Sequence, residues 1–457
     1  MDPVTHQSLS SLLKHYAALT PSTASLIPST DQGGPFPRCD TLSLAATQQW
    51  FVDHLIPLVR DRRGESSETS HERAWRKGFW KRVVNGIEQG FQDRIRRDSN
   101  GQESVQDEEV HAEILETMVE YFSSSTGPNQ SDGLMSERTY FWGNIDSHAP
   151  ARDWHRITTR EESRMISGGT TGLRTWQACI ALSNHFLVDR GPFILPTSQA
   201  ERRKKKVVEL GAGVGLLSLV AATILDQEEA SRSQTPAPSG KQDSPRPRID
   251  FGTVISTDVD ERVLELLDSN VRLNRLENRI KTTKLDWELA WRLDAGQGGD
   301  ASEASSDKRE AEEARAALVD WERQAFGVVD SAEDDQVERH DHAGADLVIG
   351  ADIVYDPSLT APLAATIAWL LRPRTSCRSQ GVARAEFASD PRRDERQAII
   401  AGTIRNETTW ELFLSECRSR WLRVEQVELE QSRDGSGLVG AEGWEGEGIV
   451  RVVRLTL

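Results

Sequence analysis

A glycine-rich stretch at residues 207–215, Val-Val-Glu-Leu-Gly-Ala-Gly-Val-Gly, has the residue types of a ligand-binding turn. Its first residues predict a buried strand, and the apolar residues 216–225 predict the helix that follows. Gly211, Gly213 and Gly215 allow left-handed backbone conformations and a close approach of the backbone to a ligand. In a doubly wound α/β sheet, a loop of this kind between strand and helix holds a nucleotide.

Glu209 distinguishes between the possible ligands of this loop, because it lies two residues before the first glycine. A carboxylate there would repel a pyrophosphate but would attract a cation. S-adenosylmethionine carries an ammonium and a sulfonium group, so the sequence predicts this cofactor. A nicotinamide dinucleotide would also require a glycine three residues after the second one, where this chain has Leu216.

An acidic and an aromatic residue follow the next two predicted strands. Asp258 is predicted to accept hydrogen bonds from ribose hydroxyls, since the usual spacing from the glycines is restored when residues 227–247 are treated as an insertion. Capping of the next helix is the alternative, and Asp260 fits that role better. Trp287 could lie against the adenine face, or it could be a core residue under the neighbouring insertion.

The fourth predicted strand ends in residues 351–355, Ala-Asp-Ile-Val-Tyr. Asp352 is expected at the carboxyl edge of the sheet, where it could hold an incoming lysine ammonium while Tyr355 forms a wall of an aromatic channel. Methyl transfer to an amine needs a neutral, aligned nitrogen, so orientation and water exclusion can supply most of the rate enhancement. Capping of the following helix is the alternative role, for which Asp356 or Ser358 is better placed.

Two further stretches give weaker signals. Residues 168–176, Gly-Gly-Thr-Thr-Gly-Leu-Arg-Thr-Trp, could cover a bound cofactor or could simply link two domains, with Thr175 as the N-cap of the next helix. The basic run at residues 202–206 fits a solvated loop before the first strand better than a nuclear-localisation or RNA-binding patch.

From residue 168 onwards, helical patterns alternate with short β-rich runs. The predicted strands are residues 207–210, 253–257, 280–284, 346–350, 398–403, 422–428 and 448–457. This alternation predicts right-handed βαβ units and an α/β fold with a Rossmann-like, seven-stranded, mostly parallel sheet. The last two strands have no helix between them, which predicts an antiparallel hairpin at one edge.

Composition divides the chain into two domains. Residues 1–155 predict an N-terminal helical accessory domain, which could pack on the second domain or recruit a substrate. Residues 165–457 predict the α/β domain. Four polar stretches have too little apolar surface to fold and are predicted to be disordered insertions, at about residues 227–247, 295–342, 374–396 and 431–447. Residues 311–321 could form a short helix within the second of them.

The bulk composition excludes several classes of function. A net charge of −17 over 457 residues disfavours sequence-independent nucleic-acid binding, which needs a basic face. The four cysteines lack the spacing of a disulfide framework or a zinc site. No apolar run approaches the roughly 18 residues that span a bilayer. We therefore expect a cytoplasmic protein without a metal or a membrane segment.

At residues 172–176, 209–215, 257–258, 286–287 and 350–355, the chain resembles the seven-β-strand (class I) protein-lysine methyltransferases that lack a SET domain. Residues 403–408, Thr-Ile-Arg-Asn-Glu-Thr, and the long N-terminal extension resemble the branch that methylates translation elongation factor 2. The resemblance covers about residues 165–457. It implies S-adenosylmethionine as cofactor and a protein substrate, elongation factor 2, for a monomeric enzyme without nucleic-acid partners.

The same resemblance implies roles for individual residues. Those implied to line the cofactor are Trp176, Gly211, Ala212, Gly213, Gly215, Asp258, Trp287 and Ala351, with Glu209 behind the methionine end. Asp352 and Tyr355 would face the target lysine, and Arg405 and Asn406 would lie on the substrate side. Two insertions, after the third strand and after the fourth helix, are longer than expected for the family.

Three other functions stay open. A small-molecule or RNA methyltransferase would use the same fold, although enzymes that methylate exocyclic base amines usually carry Asn/Asp-Pro-Pro-Tyr/Phe where this chain has Asp-Ile-Val-Tyr. A dinucleotide-dependent oxidoreductase conflicts with Leu216. A non-catalytic binding module conflicts with the retention of the cofactor-side residues.

Overall fold

The chain divides into two compact units in a computed structural model. The structure describes residues 3–20, 36–60, 69–98, 109–123, 135–143, 155–162, 171–193, 205–234, 252–295, 306–326, 344–372, 396–429, 437–438 and 448–457. The first unit comprises Met1–Arg174 and Ser432–Gly446, and the second comprises Thr175–Gln431 and Glu447–Leu457. The division between them thus falls at Arg174, and the connection between the last two strands belongs to the first unit.

Helices dominate the first unit. In the part that the structure describes they are α1 (Pro3–Ala17), α2 (Cys39–Leu42), α3 (Ala45–Arg60), α4 (Ser70–Asp98) and α5 (Ala112–Ser123). The apolar residues of these helices meet in one core, in which Phe51, Phe79 and Trp80 are almost completely buried. This burial is what stabilises the helices, because their individual propensities are weak without tertiary packing.

The first unit also contains an antiparallel strand pair that the sequence did not predict, β1 (Met135–Trp142) with β2 (His155–Glu162). Its buried side chains include an ion pair, Arg138 Nε to Glu161 Oε2 at 3.4 Å. The other carboxylate oxygen, Glu161 Oε1, accepts hydrogen bonds from Tyr140 and Thr159. A buried face made of paired charges does not show the apolar alternation by which strands are usually recognised.

The second unit is a single seven-stranded sheet flanked by helices. Its strands are β3 (Lys205–Leu210), β4 (Gly252–Asp258), β5 (Ile280–Lys284), β6 (Leu347–Ala351), β7 (Gln397–Ile404), β8 (Arg423–Val427) and β9 (Ile449–Thr456). Their spatial order is β5-β4-β3-β6-β7-β9-β8, and only β9 is antiparallel to its neighbours. The predicted Rossmann-like sheet is therefore confirmed, with β9 inserted between β7 and the edge strand β8.

The helices of this unit follow the predicted alternation. They are α6 (Gln177–Val188), α7 (Leu216–Gln234), α8 (Glu261–Leu273), α9 (Glu288–Ala295), α10 (Ser306–Phe326), α11 (Thr360–Leu371) and α12 (Glu407–Ser419). The helices in the described residues are all too short or too polar to cross a membrane.

The strand order reverses between β3 and β6, which places a crevice at their carboxyl ends. The chain proceeds from β3 to β4 and β5 on one side, then returns to β6 and β7 on the other. β3 and β6 are paired in parallel, with Glu209 opposite Ile349. The loops after Leu210 and Ala351 therefore emerge side by side, at the position where α/β sheets bind their ligands.

Parts of the predicted disordered insertions are ordered. Helix α7 continues to Gln234, and α10 occupies residues 306–326 of the acidic insertion. Small and apolar residues recur on one side of α10, so Leu318, Trp321 and Ala325 enter the core of the second unit. Leu438, in the last insertion, is buried in the first unit. The rest of these insertions, including residues 374–395, lies outside the described residues.

Two glycines of α4 provide a test of the first unit's packing. A Cβ at Gly90 would overlap the carbonyl oxygen of Cys39 in α2, whereas a Cβ at Gly78 would meet no atom within 4 Å. We expect Gly90→Ala to destabilise the unit by about 1–3 kcal/mol, because α2 must shift. Gly78→Ala should be neutral or stabilising by about 0.5–1 kcal/mol. Hydrogen exchange of α4 amides in the full chain measures both, and equal protection in the two variants would contradict this packing.

Candidate functional site

The glycine loop after β3 is fixed against the end of β4. Gly211 and Gly213 have φ angles of +59° and +55°, which residues with a Cβ rarely adopt. The backbone N–H of Ala212 donates to Thr257 O at 2.8 Å, and that of Gly213 donates to Asp258 Oδ2 at 3.2 Å. The loop conformation is thus determined jointly by its glycines and by the neighbouring strand.

Gly211 is the point at which three loops converge. A Cβ on this residue would lie 2.6 Å from Ile353 Cγ2 and 3.5 Å from Trp287 Cζ2. The loops after β3, β5 and β6 therefore meet around a residue that has no room for a side chain. The structure brings Trp287 to the glycine loop, as its place in the sequence suggested. Ile353 was not predicted, and it closes the same contact from the side of β6.

Helix α8 supports the far end of the loop. Asn270 is buried and donates from Nδ2 to Val214 O at 2.9 Å. A Cβ at Gly215 would collide with Leu267 on the same face of α8. Sequence reasoning missed Asn270, although a polar residue on the apolar face formed by Val263, Leu267 and Val271 was a usable signal.

Two neighbouring acidic residues at the end of β4 have different roles. Asp260 caps α8, since its Oδ1 accepts hydrogen bonds from Arg262 N at 2.8 Å and Val263 N at 3.3 Å. Asp258 instead faces the loop and accepts from Gly213 and Val259. Burial raises the pKa of Asp258, and these backbone hydrogen bonds oppose that effect. The capping alternative considered for Asp258 thus belongs to Asp260.

Glu209 lies under the loop in an enclosed polar cluster. Glu209 is only 2% exposed, and its Oε2 accepts a hydrogen bond from the Ser218 hydroxyl of α7. Ser256 of β4 completes the cluster, with its Oγ 2.7 Å from that of Ser218. Burial raises the pKa of Glu209 to about 8. The carboxyl is therefore mostly neutral at pH 7, and a nearby cation would be needed to hold it ionised.

Ser218 and Ser256 were not predicted as site residues. Each is a single hydroxyl within an apolar stretch of sequence, Leu-Leu-Ser-Leu and Val-Ile-Ser-Thr. A buried serine in such a place must find a hydrogen-bonding partner. The two residues could therefore have been expected to face Glu209.

The Asp352 carboxylate joins three elements at the end of β6. Its Oδ2 accepts a hydrogen bond from Ala178 N in the first turn of α6, and its Oδ1 accepts one from Thr403 N in β7, both at 2.8 Å. The Thr403 hydroxyl lies 3.2 Å from Oδ2. The Asp352 side chain is 3% exposed. Asp352 thus supplies the acceptor that α6 lacks, because the N-cap of α6 makes no side-chain cap bond.

The backbone of Asp352 is strained. Its φ of +55° lies in the left-handed region, which costs a non-glycine residue roughly 1–2 kcal/mol. The carboxylate contacts and a hydrogen bond from Asp352 N to Ala401 O at 2.9 Å hold it there. Strain that is enforced by several contacts is typical of functional positions.

The positively charged side chain of Arg405 lies between Asp352 and the Trp176 ring. The guanidinium of Arg405 lies 5.0 Å from the centre of the Trp176 ring, and its Nη1 lies 3.7 Å from Asp352 Oδ1. Its side chain is 39% exposed, so this position is reached from solvent. An aromatic face beside a carboxylate is a binding site for a positively charged group. We call Trp176, Asp352 and Arg405 the cation site.

Three other predicted residues lie at the end of β6, on the surface and at the start of α12. Ala351 ends β6 in register with Ala401 of β7. Tyr355 lies on the surface and is 55% exposed. Asn406 caps α12 by accepting from Thr408 N at 3.0 Å, a structural role that its sequence position did not reveal.

The sequence predicted N-cap residues for two helical segments near the site. The N-cap of α6 is Trp176, not Thr175 as predicted, because the helix begins at Gln177. Asp356, as predicted, caps the turn at Pro357–Leu359. Among the described residues, no three His, Cys, Asp or Glu side chains come together as metal ligands do.

Comparisons of sequence support the general class. No model of a known protein family matches the chain. The chain is 26% identical over 329 residues to protein-lysine N-methyltransferase EFM3 of Chaetomium thermophilum, covering 70% of this chain and 69% of that protein. It is 25% identical over 318 residues to the human protein-lysine N-methyltransferase EEF2KMT, covering 70% and 68%. The chain thus has homologues named as protein-lysine methyltransferases, which confirms the resemblance predicted from the sequence.

Solved structures show weaker likeness. A human methyltransferase 10 domain-containing protein is 10% identical, with a TM-score of 0.28 over 62% of this chain and 84% of that one. Fibrillarin of Aeropyrum pernix, solved with bound S-adenosyl-L-methionine, is 12% identical, with a TM-score of 0.28 over 61% and 76%. Because these scores are low, the fold assignment rests on the strand order described above.

The stability of the ligand-free protein should depend on pH through Glu209. Burial raises its pKa from 4.5 to about 8, so the folded state binds a proton that the unfolded state has released. This contribution to the free energy of unfolding is complete below pH 4.5 and is lost as pH rises through about 8. Glu209→Gln should remove this decrease in stability between pH 4.5 and about 8. Chemical denaturation at several pH values in this range measures the free energy of unfolding.

The control for this prediction is Glu88→Gln, a change at an exposed residue of α4 that should keep the wild-type slope. Identical pH slopes for the wild type and Glu209→Gln would show that the carboxyl is ionised throughout.

Proposed function

We propose that this protein is an S-adenosylmethionine-dependent protein-lysine N-methyltransferase. The observation that carries the proposal is the cation site, which lies at the end of β6, directly beside the glycine loop at the strand-order reversal. The homologues support the same conclusion, because their names specify methyl transfer to protein lysine. An enzyme of this kind must place a lysine side chain next to the sulfur of its cofactor.

The glycine loop has the features required for S-adenosylmethionine. Its backbone approaches the crevice without side chains at Gly211 and Gly213, with Trp287 beside Gly211 and Asp258 at the end of β4. Ala212 and Gly215 belong to the glycine loop, and Ala351 is the last residue of β6. Asp258 would accept from ribose hydroxyls, and the Trp287 ring would lie against the adenine. The cofactor supplies an electrophilic methyl group on a positively charged sulfur.

Glu209 gives the site a preference for a cationic ligand. Its carboxyl is neutral when only the two serine hydroxyls surround it. An ammonium or sulfonium group nearby would favour the ionised form, since an opposite charge lowers the pKa of a carboxyl. A diphosphate would have the reverse effect. Binding of the cofactor is thus coupled to loss of a proton from Glu209.

The cation site is the proposed entrance for the substrate lysine. A lysine ammonium has the same charge as the Arg405 guanidinium and would replace it between the Trp176 ring and Asp352. Asp352 would orient the ammonium, and its proton would pass to water before the neutral nitrogen attacks. Tyr355 would form the outer wall of the channel. Asp352 also positions α6 and β7, so it has both a structural and a substrate-binding role in this proposal.

The proposed substrate is translation elongation factor 2, in the cytoplasm. Two observations support this choice: the resemblance at residues 403–408 and the homologue named EEF2KMT. The direct test is transfer of tritium from labelled cofactor to purified elongation factor 2. We expect incorporation that resists nuclease and disappears when one lysine is replaced. No incorporation by a folded preparation that binds S-adenosylhomocysteine would refute the proposal.

Replacement of Asp352 separates the lysine site from the cofactor site. Asp352→Asn can keep the acceptor for Ala178 N, but it loses the acceptor for Thr403 N and the charge that attracts the substrate ammonium. We expect kcat to fall about 100-fold, while the Kd for S-adenosylhomocysteine changes little. Asp356→Asn, at an exposed cap four residues further on, is the matched control and should stay close to wild type. Near-normal turnover by Asp352→Asn would place the lysine elsewhere.

Replacement of Arg405 tests whether the guanidinium occupies the lysine position. Its contacts with Trp176 and Asp352 together contribute about 1 kcal/mol, which a substrate must displace. Arg405→Gln removes this competition, so KM for the protein substrate should fall about fivefold with little change in kcat. Arg423→Gln, at a surface ion pair with Glu425, is the control and should leave KM unchanged. A rise in KM would show that Arg405 itself binds the substrate.

A further inference from the structure

A cleft in the first unit carries basic side chains that pair with no carboxylate of the described residues. It has a volume of about 680 Å³ and lies between the segment at residues 36–40 and one face of α4. Phe36 and Pro37 form an apolar part of its lining, and Gly78 lines it without a side chain. The described residues that line it all belong to the first unit.

The charges that line this cleft divide into satisfied and unsatisfied groups. Asp40 accepts from Thr41 N and pairs with Arg38 at 3.5 Å. Asp93 accepts from Gln89 and pairs with Arg96 at 3.9 Å. Both carboxylates therefore have partners already. The remaining charges of the cleft belong to basic side chains.

Three of those basic side chains are exposed and have no carboxylate partner among the described residues. They are Lys81, Arg82 and Arg97. Arg82 lies over the Phe36 ring, 5.5 Å from its centre. Asn85, between them on α4, makes no hydrogen bond in the part of the chain that the structure describes. A row of cations and a carboxamide on an apolar base forms a surface complementary to an anionic chain.

Helix α4 is more basic than the chain as a whole. It contains eight basic and four acidic residues, in a protein whose net charge is −17. Keeping like charges together in a cleft costs Coulomb energy, which a ligand of opposite charge would recover.

We propose that this cleft binds an acidic segment of a protein. Carboxylates of the segment would lie opposite Lys81, Arg82 and Arg97, and its backbone amides would pair with the Asn85 carboxamide. An apolar side chain of the segment would contact Phe36. A nucleic acid fits less well, because a line of phosphates would leave the apolar base at Phe36 and Pro37 without a partner, whereas a peptide side chain can contact it. The test measures peptide binding and no methyl transfer, so its outcome is distinguishable from that of the proposed function.

Binding can be measured on the full chain with a fluorescein-labelled octaglutamate peptide. We expect saturable binding that weakens as salt concentration rises. The double variant Lys81→Gln/Arg97→Gln should weaken it about five- to tenfold, as two surface charge interactions predict. Lys308→Gln/Arg309→Gln, which removes the same charge from an exposed part of α10, should leave it unchanged. Far-ultraviolet circular dichroism and calorimetry with S-adenosylhomocysteine verify that both variants stay folded.

Cys39 gives a second readout, because its half-buried thiol lines the cleft. Saturating octaglutamate should slow its alkylation, measured by peptide mass spectrometry, while leaving the half-buried Cys179 of the second unit unchanged as an internal control. Equal binding by the two double variants, or unchanged alkylation of Cys39, would overturn the proposal. Tighter binding of an oligouridylate of equal charge would also overturn it, by identifying the occupant as nucleic acid.

Discussion

The site of the second unit depends on the Asp352 carboxylate. One side chain accepts hydrogen bonds from the start of α6 and from β7, and its own backbone ends β6 in a left-handed conformation. These contacts fix Trp176 and Arg405 relative to the sheet, and the next residue, Ile353, packs on the glycine loop. A buried charge is expensive to desolvate, so it is retained only where several donors surround it. Here the donors come from α6 and β7, so the Asp352 carboxylate connects these two elements to the end of β6.

Glu209 and Asp352 show how two carboxyl groups in one crevice can behave differently. Asp352 is surrounded by backbone N–H donors and an arginine. Glu209 is surrounded by two serine hydroxyls and apolar atoms, and its pKa is raised to about 8. In the proposed function, a cationic ligand would favour the ionised form of Glu209, since an opposite charge lowers the pKa of a carboxyl. The preference for cationic ligands would then develop on binding.

The central strands of the sheet were predictable from the sequence because β3, β4 and β6 are short runs rich in apolar residues, each ending at or just before a glycine or an aspartate. The predicted run 207–210 and the observed β3, Lys205–Leu210, differ by two residues at one end. The partners of Asp352 were not predictable, since Ala178 and Thr403 lie 174 and 51 residues away along the chain. Only the folded sheet brings them together. The strand pair of the first unit was missed for a different reason, which is that Arg138 and Glu161 are buried as a pair and give no hydrophobic signal.

The first unit is discontinuous, and this constrains the order in which the protein can mature on the ribosome. Lys14 is buried in α1 and donates to Gly437 O at 2.6 Å, across 423 residues of sequence. Its ammonium gains that acceptor only after the whole sheet up to β8 has been translated. Until then, the N-terminal helices can collapse around their aromatic core but cannot bury Leu438 or complete the surroundings of Lys14. Helix α1 is therefore translated long before its surroundings are complete.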